Sequence, residues 1–154
     1  MRLPSPAIHR LPGSLSLVLP AFNEEENIGE VAREALTTLP RFADEFQIII
    51  VDDGSRDRTA AVAAEIARLD SRVRVISHPR NRGYGAALVT GFNATTGDYV
   101  MFMDADRQFD INDLRLLTPF AQDFDIVAGF RMERNDPLHR RVFAETFNVA
   151  VRVD

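Results

Sequence analysis

Two aspartates that follow a short apolar run are the residues of this chain best suited to chemistry. The run spans residues 99–103, and Asp104 and Asp106 come directly after it. The run predicts a buried strand. Since residues two apart on an extended segment point to the same side, we expect the two carboxylates to converge, and Gln108 to join them if the backbone stays extended. Carboxylate and amide oxygens suit Mg²⁺ or Mn²⁺, and a metal held by them usually neutralises phosphates.

Polar residues also follow the other apolar runs. These runs alternate with segments whose apolar residues recur every three or four positions, which predicts an α/β fold with a mostly parallel sheet and covering helices. The predicted strands are residues 15–19, 46–51, 73–76, 99–103 and 124–128. Ligands of such sheets bind beyond the carboxyl ends of the strands. The polar residues expected there are Asn23, Glu24, Asp52, Asp53, residues 81–85, Asp104, Asp106, Gln108 and Arg131.

Proline and apolar periodicity set the expected ends and inner faces of the elements. Pro20 is expected to end the first strand, and Pro40 the first helix. The apolar residues expected to face inward are Ile28, Val31, Ala32, Ala35, Leu36 and Leu39 in the first helix, Val62, Ile66 and Leu69 in the second, and Leu114, Leu117 and Phe120 in the fourth. A third helix is predicted over residues 86–94, and a last helix from about Pro137.

Length and composition narrow the class of protein. The 154 residues are enough for one core and too few for two ordinary domains, and the formal charge of −5 argues against a nucleic-acid binder. No apolar run approaches the roughly 18–20 residues that span a bilayer, and the start lacks a signal-peptide core, so a cytoplasmic protein is expected. Residues 1–14 are rich in proline and predict a mobile arm; the alternative is a packed extra strand.

The absent residue types limit the chemistry further. The chain has no cysteine and no lysine, and its three histidines lie far apart in sequence. Disulfides, thiolate or amine nucleophiles, a Walker lysine and Cys-ligated zinc are thereby excluded. Any catalysis must use carboxylates, arginines, hydroxyls, backbone groups or a bound metal.

Each remaining motif has a functional and a structural interpretation. Asp53 could accept hydrogen bonds from a base, or Asp-Gly-Ser could be only a turn and helix cap. The loop around Arg82 and Gly83 could cradle phosphate or ribose, or be an ordinary glycine-rich loop. Arg131 could bind a diphosphate in a bidentate way. Three further arginines follow it in the sequence, namely Arg134, Arg140 and Arg141. They could face acidic lipid headgroups, or all four arginines could lie on a solvated helix face.

Four segments in this order resemble the family 2 glycosyltransferases. The segments are residues 19–24, 51–59, 81–85 and 103–108, and the resemblance covers roughly residues 15–150. Within that family the chain is most similar to the dolichyl- or polyprenyl-phosphate hexosyltransferases. The resemblance implies a GT-A (Rossmann-like) fold, an open αβα sandwich. It also implies a nucleotide diphosphate sugar donor of the UDP-glucose or GDP-mannose type, Mg²⁺ or Mn²⁺, and inverting transfer to polyprenyl phosphate, at the inner face of the membrane.

The resemblance also implies roles for individual residues. Asp104 and Asp106 are the expected catalytic residues. The expected nucleoside pocket is lined by Pro20, Ala21, Asn23 and Glu24, with Asp53 on the base, Asp104, Asp106 and Gln108 on the metal and diphosphate, and Arg131 on the phosphates. Ala105, between the two aspartates, and the loop residues Arg82 and Gly83 complete the expected substrate-binding set. Phe22 departs from the family, in which tyrosine is common at this position.

The resemblance finally implies an organisation. Residues 15–136 are expected to form the nucleotide-sugar-binding domain, and residues 137–154 a C-terminal helix that begins an acceptor region missing from this chain. An alternative is a catalytically weak or inactive nucleotide-sugar-binding or scaffold domain. A homodimer is also expected, because a missing region leaves apolar surface exposed. A receiver domain, which has five βα units and paired aspartates, fits poorly because its usual lysine is absent.

Overall fold

The chain forms a parallel four-stranded sheet. The computed structural model of the protein describes residues 8–129. The strands are β1 (Leu15–Ala21), β2 (Phe46–Asp52), β3 (Val73–Ser77) and β4 (Tyr99–Phe102), in the order β3-β2-β1-β4. All neighbouring pairs are parallel. Because the strand order reverses between β1 and β4, the crevice beyond their carboxyl ends is the point where open α/β sheets bind ligands.

Helices cover both faces of this sheet. They are α1 (Ile28–Thr38), α2 (Thr59–Leu69), α3 (Tyr84–Asn93) and a single-turn α4 (Leu114–Leu117), with 3₁₀ turns at Leu39–Arg41, Ile111–Asp113 and Thr118–Phe120. In β2, Ile48 and Ile50 join the core under α1 and α2, while Ile49 joins the core under α3. This alternation explains why β2 is apolar throughout. Each such buried side chain contributes about 1.5–3 kcal/mol through burial.

The first strand continues through its proline. Pro20 pairs with Val51 of β2, and β1 ends at Ala21, not before Pro20 as predicted. The carbonyls of Val18 and Ala21 accept hydrogen bonds from the loops after β4 and β2, respectively. Since backbone groups alternate sides along a strand, the missing N–H of Pro20 falls on the β4 side, where β4 has already ended. Proline therefore removes no ladder hydrogen bond there.

Two predictions for the region after β4 are wrong. Residues 124–128 form no strand: the described chain gives them no ladder partner, and Ile126 is 86% exposed. The fourth helix is one turn long, because Pro119 lies in the following 3₁₀ turn and cannot continue an α-helix. Phe120 is consequently half exposed, although Leu114 is buried as expected.

The end of the second helix also differs from prediction. Ile66 is buried, but Leu69 is 70% exposed. Leu69 is the last residue of α2, and the chain becomes extended at Asp70. The apolar stripe of α2 therefore stops one turn earlier than its spacing suggests.

The described part of the predicted arm lies against the domain. Leu11 is buried and its N–H donates to the carbonyl of Phe42. Arg10 pairs with Asp44, and the backbone N–H and hydroxyl of Ser14 both donate to Asp98 Oδ2 at 2.8 Å. From Arg10 to Ser14 the chain thus contacts the domain, and the mobility of the arm stays a prediction.

An apolar face is left uncovered by the described residues. Val89 and Phe92 of α3 and Val100 and Phe102 of β4 are 39–59% exposed, and the two phenylalanine rings meet edge to face with centroids 5.7 Å apart. The homodimer stays a prediction.

Among residues 8–129, no helix has both the length and the apolar character needed to cross a membrane.

Gly91 allows α3 to approach the sheet closely. A Cβ at this position would lie 2.3 Å from Val18 Cγ1 and 3.3 Å from Val51 Cγ2. We expect Gly91→Ala to lower the free energy of unfolding by about 1–3 kcal/mol, because helix or strand must shift. Urea denaturation measures this effect.

Gly85 in the same helix provides the matched control. A Cβ there would meet nothing within 4 Å. Gly85→Ala is expected to raise the free energy of unfolding by about 0.4–1 kcal/mol, since alanine restricts the unfolded chain. Equal stabilities of the two variants would contradict the packing argument.

Candidate active site

A cavity of about 320 Å³ lies beyond the carboxyl ends of the strands. Its walls come from the end of β1, from the segments that follow the four strands, and from the first turn of α3. The lining residues are Pro20, Ala21, Phe22, Glu24, Asp53, Asn81, Tyr84, Ala87, Asp104, Ala105 and Asp106. The cavity therefore occupies the crevice at which the strand order reverses.

The structure brings most of the predicted substrate-binding residues to this cavity. Those that line it are Pro20, Ala21, Glu24, Asp53, Asp104, Ala105 and Asp106. Asn23, Arg82, Gly83 and Gln108 do not line it. Arg131, the neighbouring arginines and the last predicted helix lie outside the described residues.

Asn23 joins the loop after β1 to the loop after β2. Its backbone N–H donates to Ser55 Oγ at 2.9 Å, and its side-chain Oδ1 accepts from the N–H of Arg56 at 2.9 Å. The N–H of Glu24 donates to Thr59 Oγ1 at 2.8 Å. Asn23 takes a positive φ of 56°, which asparagine tolerates better than most residues. Asn23 thus holds the cavity wall in position without being part of the lining.

Asp53 is the centre of a buried hydrogen-bond network. Its Oδ1 accepts from the N–H of Arg82 at 2.9 Å and lies 2.6 Å from His78 Nδ1, and its Oδ2 accepts from the N–H of Gly83 at 2.8 Å. His78 Nε2 lies 2.9 Å from Thr90 Oγ1 on α3. Arg82 and Gly83 therefore contribute backbone groups that are fixed by Asp53.

The network keeps the Asp53 carboxylate charged. Burial raises the pKa of Asp53, but the hydrogen bonds from His78, Arg82 and Gly83 and the charge of His78 outweigh burial, so the pKa lies below its usual range. The loop after β2 also passes very close to the loop after β3. A Cβ at Gly54, whose φ is +69°, would lie 2.3 Å from the backbone of Arg80. Only glycine fits this contact.

Asp104 and Asp106 both line the cavity. Both are partly exposed, and Ala105 between them is buried. The hydroxyl of Tyr84 donates to Asp104 Oδ1 at 2.7 Å. Burial, the hydrogen bond to Asp104 and the charges of Asp104 and Asp106 raise the pKa of Tyr84 to about 12. The phenol therefore stays protonated at neutral pH and continues to orient Asp104.

Gln108 does not join the two aspartates in the cavity. The expectation required an extended backbone, but Arg107 takes a left-handed φ of 61° and turns the chain. Gln108 instead lines a second cavity, together with Val31 and Glu34 of α1. The backbone N–H of Gln108 donates to Asp106 Oδ1 at 3.0 Å. Gln108 thus supports the acidic loop through its backbone.

Ala87 and His78 received no role from the sequence, and Tyr84 was predicted only as part of the loop of residues 81–85. Tyr84 and Ala87 are three apart on α3, so both face the cavity from one side of the helix. His78 directly follows β3, just as Asp53 follows β2, and that position was the available signal. It was missed because its partners are distant in sequence.

The charge of the lining is one-sided. Glu24, Asp53, Asp104 and Asp106 are acidic, and no described arginine or histidine lines the cavity. Within residues 8–129, no group of three or more His, Cys, Asp or Glu side chains could hold a metal ion alone. Two carboxylates nevertheless fit Mg²⁺ or Mn²⁺, since these ions are commonly held by one or two carboxylates together with substrate phosphates and water. Asp104 and Asp106 are the residues that would hold the ion.

Comparison with known sequences decides the family. The profile described as Glycosyl transferase family 2 matches residues 16–152. The chain belongs to glycosyl transferase family 2. A relative from Pectobacterium carotovorum, named undecaprenyl-phosphate 4-deoxy-4-formamido-L-arabinose transferase, is 35% identical over 142 residues, covering 90% of this chain and 43% of the relative. The transferase of the same name from Pseudomonas fluorescens is 37% identical over 140 residues, covering 90% and 41%.

These relatives confirm the resemblance to polyprenyl-phosphate glycosyltransferases. The chain spans less than half of the length of either relative. Family 2 membership also agrees with the order of the four segments that carried the resemblance.

Solved structures confirm the GT-A fold. The mannosyltransferase PcManGT from Pyrobaculum calidifontis, in complex with GDP-Man and Mn²⁺, has a TM-score of 0.59 at 23% identity, covering 73% of this chain and 32% of the other. The glucosyl-3-phosphoglycerate synthase from Mycobacterium tuberculosis, in complex with Mn²⁺, UDP and its product, has a TM-score of 0.51 at 34% identity, covering 71% and 38%.

Proposed function

We propose that this family 2 domain binds a nucleotide diphosphate sugar with Mg²⁺ or Mn²⁺ and serves inverting sugar transfer to polyprenyl phosphate. The observation that carries the proposal is the acidic cavity at the switch point. A diphosphate is repelled by four carboxylates unless a cation lies between them. The acidic lining therefore favours a ligand that arrives together with a divalent metal ion.

The cavity also suits the nucleoside. Its wall includes apolar groups from Pro20, Ala21, Phe22 and Ala87 beside the carboxylates. Phe22 is 41% exposed, and its ring offers a flat surface on which a base can stack. Asp53 Oδ2 accepts one described hydrogen bond and, with two lone pairs, retains capacity for one from a base N–H. Uracil and guanine both carry such a donor, so UDP and GDP sugars are both candidates.

The proposed reaction needs little proton transfer. An oxygen of the acceptor phosphate forms a bond to the anomeric carbon, while the bond from that carbon to the donor diphosphate breaks and its electron pair leaves with the nucleotide. The acceptor is already an anion, so no strong general base is required. When bound, the metal ion neutralises charge on the departing diphosphate. Asp104 and Asp106 would hold that ion, Tyr84 keeps Asp104 in its orientation, and Asp53 would accept a hydrogen bond from the base.

The names of the relatives support the acceptor class. Both act, by name, on undecaprenyl phosphate, a polyprenyl phosphate. Such an acceptor resides in a membrane, so we place the working domain peripherally at the inner membrane surface. Arg131 is proposed to contact the donor phosphates, and the remaining arginines of that group to face the lipid headgroups.

Calorimetry on the full chain tests the proposal. UDP-glucose, GDP-mannose, UDP and GDP are titrated with Mn²⁺ and, separately, with EDTA. We expect at least one nucleotide to bind with Mn²⁺ and to lose most of its affinity in EDTA. The absence of binding to all four, or binding that EDTA leaves unchanged, would refute it. A turnover assay with undecaprenyl phosphate then separates transfer from the alternative of a binding domain with weak or no activity.

A further inference from the structure

We propose that His78 is a positioning residue that fixes the nucleotide-binding edge through Asp53. His78 is buried, with 5% of its side chain exposed, and it is not among the residues that line the cavity. Both ring nitrogens have partners: Nδ1 lies 2.6 Å from Asp53 Oδ1, and Nε2 lies 2.9 Å from Thr90 Oγ1. An effect of His78 on a ligand would therefore pass through Asp53 or through Thr90 on α3.

The chemistry of the partners fixes the direction of the hydrogen bonds. A charged carboxylate only accepts hydrogen bonds, so Nδ1 carries the proton and donates to Asp53. In the neutral ring Nε2 then accepts from the Thr90 hydroxyl, and in the charged ring it donates to the hydroxyl oxygen. Either way each polar atom of the triad has a partner. The imidazole thus links α3 to the carboxylate of Asp53.

Asp53, which His78 holds in place, also binds the loop after β3. Its two oxygens accept from the consecutive N–H groups of Arg82 and Gly83, which fixes the plane of the carboxylate relative to the loop. Gly83 has a φ of +93° and immediately precedes Tyr84, the first residue of α3. Tyr84 in turn donates to Asp104. A continuous series of contacts therefore joins His78 to the acidic wall.

Amide hydrogen exchange tests, without any ligand, whether His78 fixes the loop after β3. We expect His78→Ala to increase amide hydrogen exchange at Arg82 and Gly83 about tenfold, measured by NMR on the full chain. His9→Ala is the matched control, because His9 is exposed, and it should change neither amide. Unchanged exchange at both amides in folded His78→Ala would overturn the proposal.

Two further variants separate positioning from simple filling of space. The amide nitrogen of asparagine can take the place of Nδ1 and donate to Asp53, whereas the glutamine amide reaches toward the Nε2 position. Positioning through Asp53 therefore predicts that His78→Asn restores slow exchange better than His78→Gln. Space filling predicts the reverse order, because glutamine is larger, and that order would contradict the proposal.

The second part rests on the proposed function. With Mn²⁺ present, we expect His78→Ala to raise the Kd for UDP or GDP about tenfold, and His78→Asn to recover most of the affinity. If wild type binds and His78→Ala binds equally well, the positioning role is refuted. If wild type binds neither nucleotide, the proposed function fails, while the exchange experiment still decides the role of His78.

Discussion

Asp53→Asn is expected to lower the free energy of unfolding by about 3 kcal/mol and to weaken nucleotide binding about 100-fold or more. The asparagine side chain replaces one acceptor oxygen with an N–H₂ group, which is a donor. The three groups that surround this side chain are themselves donors. At least one of His78, Arg82 N–H and Gly83 N–H then loses its acceptor in a buried place. An unsatisfied buried donor costs about 1–3 kcal/mol, and the loss of the charge adds to this cost. Urea denaturation and calorimetry with UDP and GDP measure the two effects.

The pH dependence of stability gives an independent readout of the same group. Because the pKa of Asp53 is lowered in the folded state, its contribution to stability is complete above its unfolded pKa of about 3.9. That contribution is lost as the pH falls through the lower folded value. As the pH falls below about 4, stability of the wild type should therefore decline more steeply than that of Asp53→Asn.

Asp44→Asn is the control for both measurements. Asp44 also forms an ion pair, with Arg10, but its side chain is 93% exposed. Its replacement should change the free energy of unfolding by less than about 1 kcal/mol. Comparable losses in the two variants would contradict a special role for the buried network.

The sheet could be predicted because its signals are local. β1 and β2 are runs of mainly apolar residues that are buried by packing on two faces, as Ile48 and Ile49 show. β3 and β4 were recognised from shorter runs and are only partly buried. The parallel order also predicts that Asp53, Asp104 and Asp106 lie at one edge of the sheet. The predicted strand at residues 124–128 is absent because this segment pairs with none of the four described strands, and an apolar run forms a strand only where such pairing occurs.

The network within the site could not be predicted, because it depends on contacts between segments distant in sequence. His78 and Asp53 are separated by 25 positions, and Tyr84 and Asp104 by 20. Gln108 depends on a single backbone angle. Its spacing fits a ligand set with Asp104 and Asp106, but the left-handed φ of Arg107 turns the chain, and the role of Gln108 on the metal stays a prediction. Spacing rules hold only while the backbone keeps the conformation they assume.

Asp104→Asn and Asp106→Asn are each expected to raise the Kd for UDP or GDP in Mn²⁺ about 100-fold, equivalent to about 2.7 kcal/mol. Each substitution removes one of the two carboxylates that would hold the metal ion against the diphosphate. Affinity in EDTA should stay the same or increase, because the diphosphate then meets one negative charge fewer. For wild type we expect the affinity for UDP or GDP to be much higher in Mn²⁺ than in EDTA. In both variants most of this difference in affinity should disappear.

Measurements of stability distinguish metal binding by Asp104 and Asp106 from a role of these residues in folding. Asp104 and Asp106 are partly exposed acids on one wall, so neutralising either removes repulsion and should leave the free energy of unfolding unchanged or slightly raised. Asp113→Asn, at an exposed acid outside the cavity, should alter neither metal dependence nor affinity. Variants that bind with wild-type affinity in Mn²⁺ would remove the two aspartates from the metal site. The acidic wall would then require a different counterion, and the diphosphate would have to bind elsewhere along the strand ends.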